Sequence, residues 1–138
     1  MRTLLAVLGL CGLLLMPLPD VADGGPSSTR QVGLASWYGK HHQGRKTASG
    51  ERFSRGQLTA AHRSLPLGTK VKVTNLRTRQ QVVVKITDRG PYGAGKRRII
   101  DLSEASAKHI GLVPRGVELV RVVVLQDASE GFHPIPQG

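Results

Sequence analysis

The sequence predicts a small β-barrel, and three features predict it. Several short segments alternate apolar and polar residues with period two, most clearly Lys70-Val71-Lys72-Val73-Thr74 and Gln81 to Asp88. Glycine recurs between them, 17 residues in a chain of 138, so the apolar runs stay short. Only one stretch carries the start and stop signals of a helix. Barrel closure would also remove the open edges that such Val-rich strands otherwise expose.

The elements follow in order. Gln31 to Gly39 reads as a first strand ending at glycine, and Lys40 to Lys46 as a polar, basic loop. Leu58 to His62 is a short extended piece. Leu65-Pro66-Leu67-Gly68-Thr69 is a tight turn, since proline fixes φ and glycine permits positive φ. The strands at 70–74 and 81–88 are joined by a hairpin-like link, Asn75 to Gln80, that lacks glycine. In the second of them Val82, Val84 and Ile86 share one face. Arg89 to Arg98 is a Gly-rich, basic loop. Ile99 to Leu102 is a strand. Ser103 can cap a helix with Glu104 in its first turn, Ala105, Ala107 and Ile110 inward, and Gly111 at its end. Val117 to Leu125 closes the set.

The ends have a different character. Arg2 followed by the apolar run Leu4 to Leu18, then Ala22-Asp23-Gly24, reads as a signal peptide over residues 1–24. An uncleaved anchor is the alternative. Residues 25–31 form a Gly/Pro/Ser-rich linker, 32–126 the folded domain, and 127–138 a polar tail. The one cysteine, Cys11, lies in the leader, so cleavage at Gly24 would exclude disulfides and thiolate-bound zinc. Lipidation at Cys11 is disfavoured by Leu10, where a small residue is expected.

Net charge is +11, and loss of Arg2, Asp20 and Asp23 makes the remainder one unit more positive. Such a field attracts anionic polymers. With an export signal these are cell-wall glycan or other envelope anions, and the same signal disfavours nucleic acid, so none is expected as a partner. Membrane contact is expected only through lipidated Cys11 or an uncleaved leader.

Seven motifs occur in order: Gly33-x-Ala35-Ser36-Trp37-Tyr38-Gly39, Thr47-Ala48-Ser49-Gly50-Glu51, Thr59-Ala60-Ala61-His62, Leu65-Pro66-Leu67-Gly68-Thr69, Val73-Thr74-Asn75-Leu76, Asp88-Arg89-Gly90-Pro91 and Ile100-Asp101-Leu102-Ser103. This series resembles the rare lipoprotein A (RlpA) family over about Val32 to Leu125. The resemblance implies a mainly β fold, a six-stranded double-psi β-barrel with one or two short helices. It implies a lyase: a lytic transglycosylase acting on peptidoglycan, preferring glycan stripped of stem peptides, and needing no cofactor. The compartment implied is the periplasm. Many members add a C-terminal SPOR module that binds glycan at the division septum; the short tail here does not match one, so septal targeting does not carry over from the resemblance, and division or cell-wall proteins are candidate partners. The chain is expected to be monomeric. The alternative function is an expansin-like module that binds or loosens the wall without cutting.

Acids are scarce between Gln31 and Gln126, which narrows the chemistry. Asp88 ends an apolar strand at a Gly-rich loop, a position suited to a general acid/base, or to an Asp capping the turn. Glu51 is expected across the groove as a second carboxylate, or as a solvated turn residue. His62 is expected to orient a carboxylate or bind a sugar hydroxyl, or to be a satisfied structural histidine. Asp101, between Ile100 and Leu102, either shares the active site or holds the loops by hydrogen bonds. Tyr38 and Tyr92 are candidate sugar platforms, Trp37 and Phe53 candidate core. Arg89 and Lys46, with the neighbouring cations Lys40, Arg45, Lys96, Arg97 and Arg98, are candidates to meet wall anions. His41-His42 does not have metal-ligand spacing, so no metal site is expected.

Overall fold

The computed structural model describes residues 29–93 and 97–127. The expected signal peptide, Cys11, Lys96 and the tail beyond 127 lie outside the described residues. Six strands form one closed barrel: β1 (Arg30–Trp37), β2 (Thr59–His62), β3 (Lys70–Asn75), β4 (Gln81–Asp88), β5 (Arg98–Leu102) and β6 (Glu118–Gln126). Their order around the barrel is β1-β5-β2-β4-β3-β6. A 3-10 turn spans Lys40–His42, within the expected polar loop, and one α-helix, α1, spans Glu104–His109. β1 begins one residue before the expected strand, at Arg30 in the expected linker, because Arg30 and Gln31 pair with β6 opposite Val123 and Val122.

Two strand pairs are parallel, β1 with β5 and β2 with β4. The remaining four are antiparallel. Parallel neighbours cannot be joined by a hairpin, so the chain must cross the barrel ends to make them. Those crossings gather the loops that build the site.

The core is made where period two points inward. Val71, Val73, Val82, Val84, Ile86, Ile100, Leu102, Val120 and Val122 are all buried. Helix α1 and its C-cap residue bury Ala107 and Ile110 against the core. Ala105 is not fully buried, and Ser106 takes an inward place instead. Its hydroxyl bonds to Ser103 Oγ at 2.7 Å and donates to the Thr59 carbonyl at 3.3 Å, so its polarity is satisfied there. Ser103 is the N-cap and accepts from the Ser106 amide.

The β3–β4 link has no glycine because Asn75 organises it. Asn75 is fully buried. Its Oδ1 accepts from the Arg77 amide at 2.9 Å, and its Nδ2 donates to the Ile110 carbonyl at 2.8 Å. One side chain thus ties the hairpin to the end of α1. Asn75→Ala strands these partners, and urea denaturation should show a loss of about 3 kcal/mol. A loss below about 0.5 kcal/mol would mean that water replaces the amide, as at ordinary surface sites.

Candidate active site

Strand β2 carries Ala61 at the centre of the site. Ala61 is paired with Asp88 on β4 to one side and with Asp101 on β5 to the other. Two carboxylates therefore stand at one level, two strand spacings apart, or about 9–10 Å between Cα atoms. The methyl between them leaves room that a larger residue would fill. Both acids line one cavity of about 240 Å³, together with Tyr38, Phe53, Thr47 and Arg89. His42, Arg45 and Lys46 complete its basic rim.

Each carboxylate is held on one side. Asp88 Oδ1 accepts from the Ala48 amide at 3.1 Å and from the Arg89 amide at 2.9 Å. The Ala48 bond comes from the Thr47–Arg52 turn, which the Ser49 amide also ties to the Thr87 carbonyl at 3.0 Å. Asp101 Oδ1 accepts from the Ser36 hydroxyl, which in turn accepts from Arg98 Nη1 at 3.1 Å. Gly90 follows with φ +135°, and a Cβ there would stand 3.8 Å from Asp101 Oδ2. That backbone conformation belongs to glycine, and it brings the Asp88 loop against the second acid.

Tyr38 leaves β1 just after Trp37 and packs its ring against Phe53, with centroids 4.7 Å apart. The His42 ring also packs on Tyr38, with centroids 5.2 Å apart. The phenol oxygen is buried and has no hydrogen-bond partner. Burial first, then the charges of Asp88 and Asp101, push its pKa well above the ordinary phenol value. It stays protonated, on a residue that lines the same cavity as both acids. Burial of the phenol oxygen comes from tertiary packing, which no local sequence pattern states.

The remaining candidates are placed as follows. Phe53 is core, as expected, and Trp37 packs against the core from its edge. Lys46 and Arg89 line the cavity. Tyr92 does not: it is 71% exposed. Glu51 does not line the cavity either, because its turn directs the carboxylate outward onto Lys85 Nζ at 2.6 Å. His62 faces away from the Asp88 cavity. Adjacent strand residues point to opposite faces, so with Ala61 in the cavity His62 must leave it.

Both nitrogens of His62 are engaged. Nδ1 accepts from the Ser64 and Leu65 amides at 3.1 and 3.0 Å, which leaves Nε2–H to donate to Gln31 Oε1 at 3.0 Å. The imidazole thereby builds the turn after β2. Arg89 Nη1 docks on that turn, donating to the carbonyls of His62 at 3.2 Å and Leu65 at 2.7 Å. His62 thus reaches the site through Arg89.

Burial, then Arg89 and Arg63, hold the His62 pKa below its ordinary value. The unfolded chain takes up a proton near pH 6.5 that the native imidazole refuses. Stability therefore falls as pH drops through about 6.5, and levels off below the lowered native value. Urea titrations between about pH 7.5 and 5 should show this slope, and His62→Gln should flatten it. An unchanged slope in the variant would assign it to another group.

Among the described residues no three His, Cys, Asp or Glu side chains converge as metal ligands. His42, Thr47 and Ala61 are the lining residues that the sequence did not single out. The signal for Thr47 was its place in the Thr47-Ala48-Ser49-Gly50-Glu51 motif.

Residues 30–122 match the model of a family described as lytic transglycolase. The chain belongs to this family. Its barrel is the family's double-psi β-barrel, so the fold that the RlpA resemblance implied is the one observed. The chain is 56% identical over 94 residues to the "Probable endolytic peptidoglycan transglycosylase RlpA" of Synechocystis sp.. That alignment covers 68% of this chain and 29% of the relative. It is 52% identical over 99 residues to the "Endolytic peptidoglycan transglycosylase RlpA" of Pasteurella multocida, covering 72% and 33%. The chain thus spans about a third of the length of these curated relatives. Among solved structures, Streptomyces papain inhibitor superposes with a TM-score of 0.57 at 20% identity, covering 71% of this chain and 96% of that one. An expansin of Clavibacter michiganensis gives 0.57 at 22%, covering 72% and 52%. At these identities the likeness shows the shared barrel.

Proposed function

We propose that this barrel is a peptidoglycan lytic transglycosylase. It would cut the β-1,4 bond between N-acetylmuramic acid and N-acetylglucosamine and leave a 1,6-anhydro end. The observation that carries the reading is the pair Asp88 and Asp101 across Ala61, converging with a buried phenol on one cavity. Membership of the lytic transglycolase family supports it, as do relatives named for this activity.

The reaction needs a proton delivered to the leaving glycosidic oxygen and one removed from the muramyl 6-hydroxyl, which then attacks its own anomeric carbon. One carboxyl group can do both in sequence. Asp88 takes this part, since Oδ1 is held by two amides while the residue lines the cavity. Asp101 is the second carboxylate and stabilises the positive charge that develops on the sugar. The Tyr38 phenol donates to a substrate oxygen between them. Arg89, Lys46 and Arg45 meet the lactyl carboxylates of muramyl residues, the anionic feature of stripped glycan. Glu51 and His62 are positioning residues: the first steadies the turn whose Ala48 amide holds Asp88, the second builds the ledge that holds Arg89.

A protein with this substrate works outside the cytoplasm, and the leader-like N-terminus favours the periplasm. The test is digestion of sacculi, intact and stripped of stem peptides, with released sugars read by mass spectrometry. Products ending in 1,6-anhydro-muramic acid are expected, most from stripped glycan. Reducing ends would make the protein a hydrolase on the same barrel. Binding without release would make it an expansin-like module.

A further inference from the structure

A second polar cavity lies at the other end of β4. Asp88 ends that strand and Gln81 begins it, so the two sites are about 23 Å apart along the strand. Gln81 on β4 pairs with Thr74 on β3, and Thr74 pairs with Arg121 on β6. The three side chains thus stand in a row across neighbouring strands. The β3–β4 turn brings Arg79 over the row. These residues, with Asn75 and Leu76, line about 380 Å³.

Three features make this more than a charged surface. Arg121 Nε is buried and makes no hydrogen bond. A guanidinium donor so placed lacks the acceptor that buried polar groups normally have. Neither Arg79 nor Arg121 is in an ion pair among the described residues, and no carboxylate lines the cavity. By contrast, Arg77 of this turn and Arg115 before β6 share a carboxylate partner, Glu118. Arg79 also has φ +62°, the one non-glycine with positive φ among the described residues. That conformation favours glycine, yet an arginine holds it and its charge overhangs the cavity.

We propose that this cavity is an anion site that takes a phosphate group. Two guanidinium groups arrive from different elements, joined by an amide and a hydroxyl, so donors converge from several directions. A tetrahedral phosphate presents accepting oxygens on all sides, whereas a carboxylate presents two in one plane. Two positive charges with no protein counter-ion also match a phosphate's charge. The site lies at the far end of β4 from the Asp88 cavity. It does not depend on the transglycosylase reading.

The probe is inorganic phosphate, added to the full chain at constant ionic strength. The readout is the Arg121 Nε–H signal in 15N NMR spectra. A saturable shift is expected with phosphate and none with chloride or acetate. Arg79→Gly should weaken phosphate binding by about tenfold, the loss of one charge-assisted contact. Because glycine suits the turn, the same variant should melt no earlier than the parent, so loss of binding could not be ascribed to unfolding. Glycan cleavage should be unchanged in it. A second arm uses phosphatidylglycerol against phosphatidylcholine vesicles. Retention on the anionic vesicles, lost in Arg79→Gly, assigns the phosphate to a lipid headgroup. Phosphate binding without retention assigns it to a soluble ester. A shift that fails to saturate, that chloride reproduces, or that Arg79→Gly leaves intact overturns the site.

Discussion

Asp88→Asn should leave a folded barrel that releases almost no anhydro-sugar, with activity down by about 10²–10⁴-fold. The substitution isolates the chemistry. An asparagine Oδ1 can still accept from the Ala48 and Arg89 amides, so the Thr47–Arg52 turn and the Gly90 loop keep their anchors. What disappears is the group that gives a proton to the leaving oxygen and takes one from the 6-hydroxyl. Binding to stripped glycan should survive, because Arg89, Lys46 and the rest of the rim are untouched. The comparison variant is Glu51→Gln. Its carboxylate is paired with Lys85 outside the cavity, so the expected loss is far smaller. Equal losses in the two variants, with both still folded and binding, would give Glu51 a direct share in the reaction. Retention of most activity in Asp88→Asn would move the acid/base role to Asp101.

Tyr38→Phe should move stability and activity in opposite directions. The phenol oxygen is buried without a partner, which costs the native state desolvation that no hydrogen bond repays. Removing it keeps the ring contacts with Phe53 and His42 and should stabilise the fold by about 1 kcal/mol. The same change deletes a hydroxyl on a residue that lines the cavity with both carboxylates. Turnover should then fall by roughly 10–10³-fold, the range seen when one pre-set donor to a developing charge is lost. The pH profile should keep its shape, because burial and the two acids keep the phenol protonated over the working range. Denaturant titration and sacculus digestion of one preparation decide the matter. A variant both less stable and fully active would make Tyr38 a packing residue alone. Such a trade of stability for activity is common where a site is assembled before its substrate arrives.

Much of the barrel was legible in the sequence, because strands announce themselves locally. Val82, Val84 and Ile86 share a face by period two alone, and that face is the core. Ser103 and Glu104 mark the start of α1 for reasons confined to one turn. Seven motifs in order sufficed to place the chain in its family. Asp88, Tyr38, Arg89 and Lys46 were singled out from sequence, and all four line the cavity.

Which acids and bases meet was decided only by tertiary pairing. Asp88 and Asp101 are distant in the chain and become neighbours across Ala61 because β2 lies between β4 and β5. The register that sends Ala61 into the cavity turns His62 out of it, and no local pattern states that register. Lys85 draws Glu51 away from the cavity, while packing buries the Tyr38 phenol and exposes Tyr92. Period and capping are properties of a few consecutive residues, so the sequence determined the elements and the family. Side-chain convergence depends on parallel pairs that the chain closes around the barrel ends, so the structure alone determined the constellation.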